Sequence, residues 1–347
     1  MKNKWDHKHL LFMNDDTGIL QHSSYGVPDP RHGYTTDDNA RAILLVLWLM
    51  KEYPNQNYEK LLYRYASFLL HAQSENGNFR NFMSYGRKWL EAEGSEDCQG
   101  RCIWALSTAI MDPLVPDSIK AVFLDMLKKA LPQIQKLTFL RAKAYALIGL
   151  AKLKDFSMRK TARDLSKELL DSFTLAKEDE WQWFEPELTY SNSILSWSLF
   201  EAYRVTHQAV FLESAESSLN FLIEKTFTKT YFQPIGCQGW LKRGDLRAAK
   251  FDQQPIEACE MLLTLKRAFE ITNKEFYLKR ARQCYLWYEG ENSENSCLID
   301  PVTGGCFDGV TEKGINRNMG AESQISYGIS YFVIKNLDDT ACAEEEN

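Results

Sequence analysis

Two adjacent acids, Asp37 and Asp38, stand at the start of an apolar stretch, within the segment His32–Arg41 (HGYTTDDNAR). A carboxylate at a helix N-terminus is stabilised by the helix dipole and by free backbone N–H groups. One aspartate is enough to cap a helix, so capping leaves the second acid and the preceding His32 and Tyr34 unexplained. The segment therefore favours a role in chemistry over capping alone.

A second segment, Trp183–Asn192 (WFEPELTYSN), mixes aromatic rings with Glu185 and Glu187. Such a surface suits sugars, because their C–H faces stack on rings while their hydroxyls bond to acids and amides. Tryptophan and phenylalanine also fit an ordinary core, so the rings alone decide little. The two glutamates flank a proline before a buried helix and are harder to explain by packing. We expect at least one of them in a cleft.

A third polar segment, Phe251–Glu257 (FDQQPIE), opens another apolar helix. Pro255 fits the first turn of a helix, and Asp252 could cap it. Capping does not account for the other polar side chains, Gln253, Gln254 and Glu257, beside an apolar helix. This surplus of polar groups again indicates a binding surface at a helix start.

A fourth cluster combines Asp308 with the segment Asn318–Ser323 (NMGAES), which contains Glu322. Glu322 begins the last apolar helix, so we expect it at the same mouth as the other acids. The alternative is a structural role for Glu322, either as an acid that stabilises the helix N-terminus or as a salt-bridge partner of Arg317 or Arg41.

Two carboxyl groups flanking a sugar bond are what glycoside hydrolysis requires, one protonated to donate to the leaving group and one ionised to activate water or to attack carbon. Crowding of acids raises the pKa of at least one of them, which helps to provide the acid. The catalytic candidates are Asp38, Asp252, Glu322 and Glu185. The candidates for substrate binding are His32, Tyr34, Asp37, Arg101, Trp183, Glu187, Tyr190, Asn192, Gln253, Gln254, Glu257, Asp308 and Asn318. Inversion is the preferred stereochemical outcome.

Helices of two kinds must position these groups. Six are apolar on nearly all sides, starting near residues 38, 101, 141, 191, 255 and 321, and such helices must be buried on all sides. Amphipathic helices alternate with them, over Tyr58–Gln73, Ser118–Gln135, Met158–Phe173, Val210–Thr226 and Glu275–Tyr288, with a short one at Trp5–Met13. A closed ring of six hairpins, an all-α (α/α)6 toroid, explains this alternation. An open solenoid would give regular repeats of roughly 34 to 47 residues, whereas this spacing is irregular.

Three long loops, at residues 18–38, 227–254 and 290–320, lead into N-terminal ends of the apolar helices. Loops longer than about 12 to 15 residues are usually functional. We therefore expect the active-site cleft at the mouth formed by these helix ends. The toroid is expected to be a single domain over residues 1–337, followed by an acidic, disordered tail at 338–347.

Composition excludes several other classes of protein. The net charge of −6 gives no basic patch for nucleic acid. The longest apolar run, Ala42–Met50, is too short to cross a membrane, which needs about 20 residues. Eight cysteines are expected as free thiols in a cytoplasmic protein. They lack the spacing of a metal site, and no cofactor is expected.

With these helices and loops placed, the chain resembles the six-hairpin glycosidase superfamily. The segments HGYTTDDNAR, WFEPELTYSN, FDQQPIE and NMGAES are similar to those of a bacterial group that is sometimes fused to glycosyltransferases or found near mannoside-processing genes. The resemblance covers nearly the whole chain. It implies an (α/α)6 fold, an oligosaccharide or glycoconjugate as substrate and a glycosyltransferase as a candidate partner. It assigns no catalytic role residue by residue.

Relatives with similar toroids include epimerases, polysaccharide lyases and unsaturated-uronyl hydrolases. Epimerases of this fold use histidines inside the barrel, whereas none of the six histidines falls in a predicted inner helix. Lyases favour basic clefts, and these clusters are acidic. The leading hypothesis is a glycoside hydrolase that cleaves a neutral, mannose-containing or related oligosaccharide. The alternatives are a non-catalytic carbohydrate-binding or accessory module for a glycosyltransferase, and a sugar epimerase or isomerase.

Overall fold

Twelve α-helices make up most of the described chain in a computed structural model, which covers the backbone of residues 4–345 and the side chains of residues 4–339. The six apolar helices begin close to the predicted positions. They are α2 (Thr36–Glu52), α4 (Glu96–Met111), α6 (Leu140–Leu150), α8 (Ser193–Thr206), α10 (Pro255–Thr272) and α12 (Ala321–Glu345). The largest difference is at α4, which starts five residues before the expected Arg101, since Ser95 caps it. The all-α prediction is confirmed.

These six helices form a closed inner ring. Each contacts the next in chain order, and the last helix, α12, packs against the first, α2. Burial on all sides follows from this position, and α6 illustrates it, because nine of its eleven residues are buried. The expected (α/α)6 toroid is therefore the observed fold. An open solenoid is excluded by the contact between α12 and α2.

The outer layer consists of the amphipathic helices. They are α1 (Lys8–Phe12), α3 (Glu59–Ala72), α5 (Asp117–Ile134), α7 (Phe156–Ala176), α9 (Ala209–Thr226) and α11 (Glu275–Tyr288). Each lies within about three residues of its predicted bounds because the apolar stripe that packs on the inner ring sets its length. One continuous cluster of buried apolar side chains joins the two layers.

Short antiparallel strand pairs tie the loops together at the mouth formed by the N-terminal ends of the inner helices. The strands are β1 (Ser23–Ser24), β2 (Val27–Pro28), β3 (Tyr34–Thr35), β4 (Phe82–Met83), β5 (Glu187–Leu188), β6 (Leu241–Lys242), β7 (Gly309–Thr311) and β8 (Gly314–Asn316). They pair as β1–β2, β3–β4, β5–β6 and β7–β8. The loops are therefore fixed in place by backbone hydrogen bonds, as a preorganised site requires.

The C-terminal end of the described chain differs from the expected disordered tail. The backbone of α12 continues as helix to Glu345. Asp338 pairs with Arg282 on α11, and Asp339 lies 3.2 Å from the ammonium of Lys335 one turn earlier. These ion pairs give the acidic residues partners that the sequence pattern did not reveal. Among the cysteines, those from Cys98 to Cys306 are free thiols, and the side chain of Cys342 lies outside the described residues.

Gly149 sets how closely two inner helices approach. A Cβ atom at this position of α6 would lie 2.8 Å from the carbonyl oxygen of Ile103 and from the Cα of Trp104, both backbone atoms of α4. We expect Gly149→Ala to lower the free energy of unfolding by about 2 kcal/mol. Overpacking costs about 1–3 kcal/mol, contact with backbone atoms places this case at the upper end, and a helix-propensity gain of about 1 kcal/mol offsets part of the cost. Urea denaturation measures this change.

Gly86→Ala is the matched control. Gly86 is exposed, and a Cβ atom added there would meet only the side-chain oxygen of Ser84, at 3.8 Å. This variant should change stability by less than about 0.5 kcal/mol. Equal stability for both alanine variants would show that the contact between α4 and α6 adjusts freely.

Candidate functional site

The helix cap at α2 resolves the ambiguity of the two adjacent aspartates. Thr35 is the N-cap residue, and its hydroxyl oxygen accepts a hydrogen bond from the backbone N–H of Asp38 at 3.3 Å. Neither Asp37 nor Asp38 caps the helix with its side chain. Both carboxyl groups are therefore available at the N-terminal end of α2, where the helix dipole favours negative charge.

One buried arginine gathers three acids at this mouth. The guanidinium of Arg41 lies 2.7 Å from Asp38 Oδ1 and 3.5 Å from Asp37 Oδ2. It also lies 2.9 Å from Glu322 Oε2 at the start of α12. Arg101 adds a second cation, 3.3 Å from Asp37 Oδ2. The salt bridge between Glu322 and Arg41, one of the two partners expected for Glu322, thus exists and joins the last inner helix to the first.

The environment separates the protonation states of the two adjacent aspartates. Burial and the neighbouring charge of Asp37 raise the pKa of Asp38 to about 7. Burial also acts on Asp37, but the nearby charges of Arg41 and Arg101 outweigh it and lower the pKa of that carboxyl. Near neutral pH the pair therefore offers one carboxyl that can carry a proton and one that stays ionised. Environments that push two pKa values apart are a feature of acid/base sites.

These groups open into a cavity of about 300 Å³. Five of the predicted site residues line it: Asp37, Asp38, Gln254, Asp308 and Glu322. The side chain of Glu322 is 38 % exposed, so water reaches its carboxylate. Three of the four predicted segments thus contribute to this cavity, whereas no residue of the segment Trp183–Asn192 lines it. Asp308 also has a structural task, since it accepts hydrogen bonds from the backbone N–H of Gly320 and the hydroxyl of Ser323.

His22 lines the same cavity and was missed by sequence reasoning. It lies in the loop before α2, beside the ring of His32, with ring centroids 4.8 Å apart. Burial and the nearby His32 lower the pKa of His22, which favours the neutral imidazole at neutral pH. No helical periodicity marks a loop histidine, so only its place in a long loop could have indicated it.

A second group of polar contacts surrounds Arg141, at the N-terminal end of α6. Its guanidinium lies 2.8 Å from Glu185 Oε2 and donates to the carbonyl oxygen of Tyr190 at 2.5 Å. The ring of Tyr190 packs on the same guanidinium, and its hydroxyl donates to Asp97 Oδ2 at 2.7 Å. Glu185 and Tyr190 are thus brought to the mouth, where Arg141 neutralises Glu185.

Two buried glutamates lie behind these groups on α10. The backbone N–H of Ser191 donates to Glu257 Oε1 at 2.5 Å, and the hydroxyl of Tyr145 donates to Glu260 Oε1 at 2.5 Å. Burial and the neighbouring Glu260 raise the pKa of Glu257 to about 8, and burial raises the pKa of Glu260. Glu257 was predicted as a site residue. Glu260 and Tyr145 were missed because each lies inside an apolar helical stretch.

Among the predicted residues that do not line this cavity, four have contacts elsewhere that explain their polar or aromatic side chains only in part. Trp183 is fully buried and packs on Phe184 and Phe221. The amide of Gln253 is also fully buried, between Trp287 and Ser293. The Tyr34 hydroxyl donates to Asp15, and Asp252 accepts a hydrogen bond from Gln238 at 3.2 Å. In this structure a substrate would not reach Trp183 or Gln253, because both side chains are fully buried.

The remaining predicted residues lie on loops at the mouth. Asn192 holds its own loop by accepting from the backbone N–H of Thr189 at 2.9 Å. The amide oxygen of Asn318 accepts from the backbone N–H of Tyr25 at 2.9 Å. His32 is exposed and lies 3.8 Å from the carboxylate of Asp29, while Glu187 lies in β5 beside β6. They could shape a wider cleft but do not line the cavity that holds Asp38.

The described residues contain no group of three or more His, Cys, Asp or Glu side chains arranged to hold a metal ion. Within the described chain, no helix is long and apolar enough to cross a membrane.

No family profile and no curated protein matches this sequence. Solved structures with the same architecture do match. A D-mannose isomerase is 14 % identical, with a TM-score of 0.69 over 95 % of this chain and 96 % of that one. A cellobiose 2-epimerase from Bacillus thermoamylovorans is 10 % identical, with a TM-score of 0.71 over 93 % and 94 %.

An inactive variant of an α-1,6-mannanase from a Salegentibacter species also matches, in complex with α-1,6-mannotetrose. It is 10 % identical, with a TM-score of 0.62 over 94 % of this chain and 95 % of that one. Two consecutive aspartates are replaced by alanine in that variant. At these identities the likeness establishes the fold and leaves the activity to the chemistry of the site. The chain therefore shares the (α/α)6 toroid fold of these solved structures.

Proposed function

We propose that the chain is a carbohydrate-active enzyme, a glycoside hydrolase that cleaves a neutral oligosaccharide, with mannose-containing chains as the first candidates. The observation that carries the proposal is the pair of adjacent acids, Asp37 and Asp38, whose pKa values are shifted in opposite directions beside one cavity. Glycoside hydrolysis needs one protonated and one ionised carboxyl group. The proposed location is the cytoplasm, and the proposed partner is a glycosyltransferase that handles the same glycoconjugate.

In the proposed mechanism, Asp38 donates its proton to the glycosidic oxygen as the leaving sugar departs. Glu322, held by Arg41 at 2.9 Å and open to water, takes a proton from the attacking water molecule. Asp37 stays ionised beside Arg101 and stabilises the positive charge that develops on the sugar ring. Inversion of the anomeric centre follows from direct attack by water.

The structural matches agree with this substrate class. An α-1,6-mannanase and a D-mannose isomerase share the fold, and the inactive mannanase variant has lost two consecutive aspartates. This chain carries two consecutive aspartates, Asp37 and Asp38, in its cavity. The presence of two consecutive aspartates in both proteins supports a mannose-containing substrate as the first one to test.

Hydrolysis is tested by incubating the purified chain with manno- and gluco-oligosaccharides of two to six units and separating the products by chromatography. We expect cleavage of at least one mannose-containing chain. Binding measured by calorimetry without any turnover would instead identify a non-catalytic carbohydrate-binding module. NMR of the product as it is released identifies its anomeric configuration, which distinguishes inversion from retention.

The pH dependence follows from Asp38. The proposed acid must be protonated, and the pKa of Asp38 is raised to about 7. We therefore expect kcat/KM to fall as pH rises above about 7, approaching a tenfold loss per pH unit, because the protonated fraction falls. Initial rates between pH 4 and 9 measure the profile. A rate that keeps rising to pH 9 would contradict the assignment of Asp38 as the acid.

A sugar epimerase or isomerase is the second candidate, and His22 favours it. This imidazole lines the cavity, and its lowered pKa suits a base that removes a proton next to a carbonyl group. The described histidines still include none within an inner helix, as the sequence indicated. Incubation of mannose or cellobiose in deuterated water tests this activity, since epimerisation or isomerisation would place deuterium on the sugar.

A further inference from the structure

A second cavity, of about 300 Å³, lies on the axis of the ring at the mouth opposite the acids. We call it the rear cavity. All six inner helices, or residues directly after them, contribute to its wall. Three tryptophans and three lysines give it its character: Trp48, Trp104, Trp197, Lys51, Lys152 and Lys266. Aliphatic side chains from the same helices complete the wall.

Aromatic packing separates the rear cavity from the acidic site. Trp104 meets Trp197 edge to face, with ring centroids 5.5 Å apart. On its other side Trp104 stacks on Tyr145 at 5.8 Å, and the hydroxyl of Tyr145 reaches Glu260 behind the acidic site. The Trp104–Tyr145 stack therefore forms a floor between the two ends of the ring, and a ligand at one end does not contact the other.

Lys152, whose side chain is partly exposed, contributes a positive charge to the rear cavity. Among the described residues its ammonium group has no hydrogen-bond or ion-pair partner, whereas Lys266 pairs with Glu270. Burial lowers the pKa of Lys152 to about 8, so the group is still mostly protonated at neutral pH. A partly buried ammonium group without a partner is costly, and an anion would satisfy it.

The charged groups around Lys152 leave this excess uncompensated. Glu201 lies nearby, but it is fully buried and already pairs with Arg204 at 2.6 Å and with Arg267 at 2.8 Å. Asp112 also lines the cavity, and its carboxylate accepts a hydrogen bond from the backbone N–H of Leu114 at 2.9 Å. The charge of the groups around Lys152 therefore favours binding of an anion over binding of a cation.

We propose that the rear cavity binds a small aromatic monoanion, with its charged group on Lys152 and its rings against Trp104 and Trp197. The cavity volume is at the lower end of the range for small-molecule pockets, about 300–1,000 Å³. Indole walls favour stacked or edge-to-face contact with an aromatic ligand. This site is independent of the proposed hydrolase activity.

The fluorescent aromatic sulfonate 1-anilinonaphthalene-8-sulfonate provides the test. We expect saturable binding of one molecule per chain, with a rise in fluorescence and energy transfer from the tryptophans. Lys152→Met should weaken binding at least tenfold, because a charge-assisted hydrogen bond is lost, and Lys152→Arg should retain most of it. Lys225→Met is the matched control, since Lys225 lies over the ring of Phe221 in the outer layer and should leave binding unchanged.

A neutral probe and a filled cavity make the test decisive. N-phenyl-1-naphthylamine has the same rings without the sulfonate, so it should bind more weakly than the sulfonate to the unchanged chain and about equally to Lys152→Met. Thr108→Phe, which places a ring in the cavity wall, should remove binding of both probes, with the fold checked by circular dichroism. Sulfonate binding that is absent, or that is unchanged in either Lys152→Met or Thr108→Phe, would overturn the proposal.

Discussion

We expect replacement of Asp38 with asparagine to lower kcat for the proposed oligosaccharide hydrolysis by about 10³-fold while the protein remains folded. General acid catalysis typically contributes about 10²–10⁴-fold, and an amide cannot supply the proton. Asparagine keeps the size of the side chain and can still accept from Thr35, which donates to Asp38 Oδ2 at 2.6 Å. Steady-state kinetics with the best substrate of the oligosaccharide panel measures the loss, and KM should change little.

The same substitution should not destabilise the chain. Asp38 is crowded by the negative charges of Asp37 and Glu322, so a neutral side chain relieves repulsion, and the melting temperature should stay equal or rise. Asp16→Asn is the matched control, because Asp16 also pairs with an arginine, Arg87, but on the surface. The proposed role of Asp38 is wrong if Asp38→Asn and Asp16→Asn have the same kcat as the unchanged enzyme.

Arg41→Met lowers the free energy of unfolding at pH 8 by about 3–5 kcal/mol, the typical cost of removing one partner from a buried ion pair. Three carboxyl groups, of Asp37, Asp38 and Glu322, lose their shared cation. Methionine fills much of the same volume, so the loss reports the unpaired charge more than a cavity. Such a loss is a large part of the total stability of a typical domain, about 5–15 kcal/mol. Urea denaturation measures it.

Acidification should restore part of that stability. Without Arg41, the folded-state pKa of Asp38, already raised, rises further, and the pKa of Asp37 loses one of the two charges that lower it. Protonation then favours the folded state, so the penalty shrinks as pH falls from 8 to 5. Arg87→Met is the control, because Arg87 pairs with Asp16 on the surface, where 58 % and 77 % of the two side chains are exposed. That variant should cost less than about 1 kcal/mol. A pH-independent penalty for Arg41→Met would indicate lost packing as its cause.

The fold could be predicted from periodicity because the two layers of the ring impose different patterns. An inner helix such as α6 is apolar all round, and an outer helix such as α11 is amphipathic. The bounds of α11 are those expected, Glu275–Tyr288. The prediction was less accurate where a polar cap precedes the apolar stretch, as at α4, whose first turn carries Glu96 and Asp97. The helical extent of α12 beyond residue 337 was not anticipated, since its stabilising partner, Arg282, is distant in sequence.

The candidate site was predictable where polar residues interrupt an apolar helix start, as at Asp38 and Glu322. The site was not predictable where the direction of a side chain decides whether the residue faces the cavity or the core. Gln253 and Gln254 are neighbours in sequence, yet Gln253 turns inward to Trp287 and Gln254 faces the cavity. Glu260 was missed because a single acid within an apolar helix reads as part of the core. Its partner Tyr145 is contributed by a different hairpin.

The ion pair between Arg41 and Glu322 also means that the cluster of acids is completed only after the last inner helix has been synthesised. Arg41 is translated with the first hairpin, whereas Glu322 leaves the ribosome only with the last. Until then the nascent chain holds an open arc of helices, with the α2 face that will meet α12 still uncovered and the cluster around Arg41 one acid short. Under the proposed mechanism, a translation product that ends before α12 would lack Glu322 and be inactive. The group of three acids around Arg41 can form only once the chain is long enough for α12 to pack against α2.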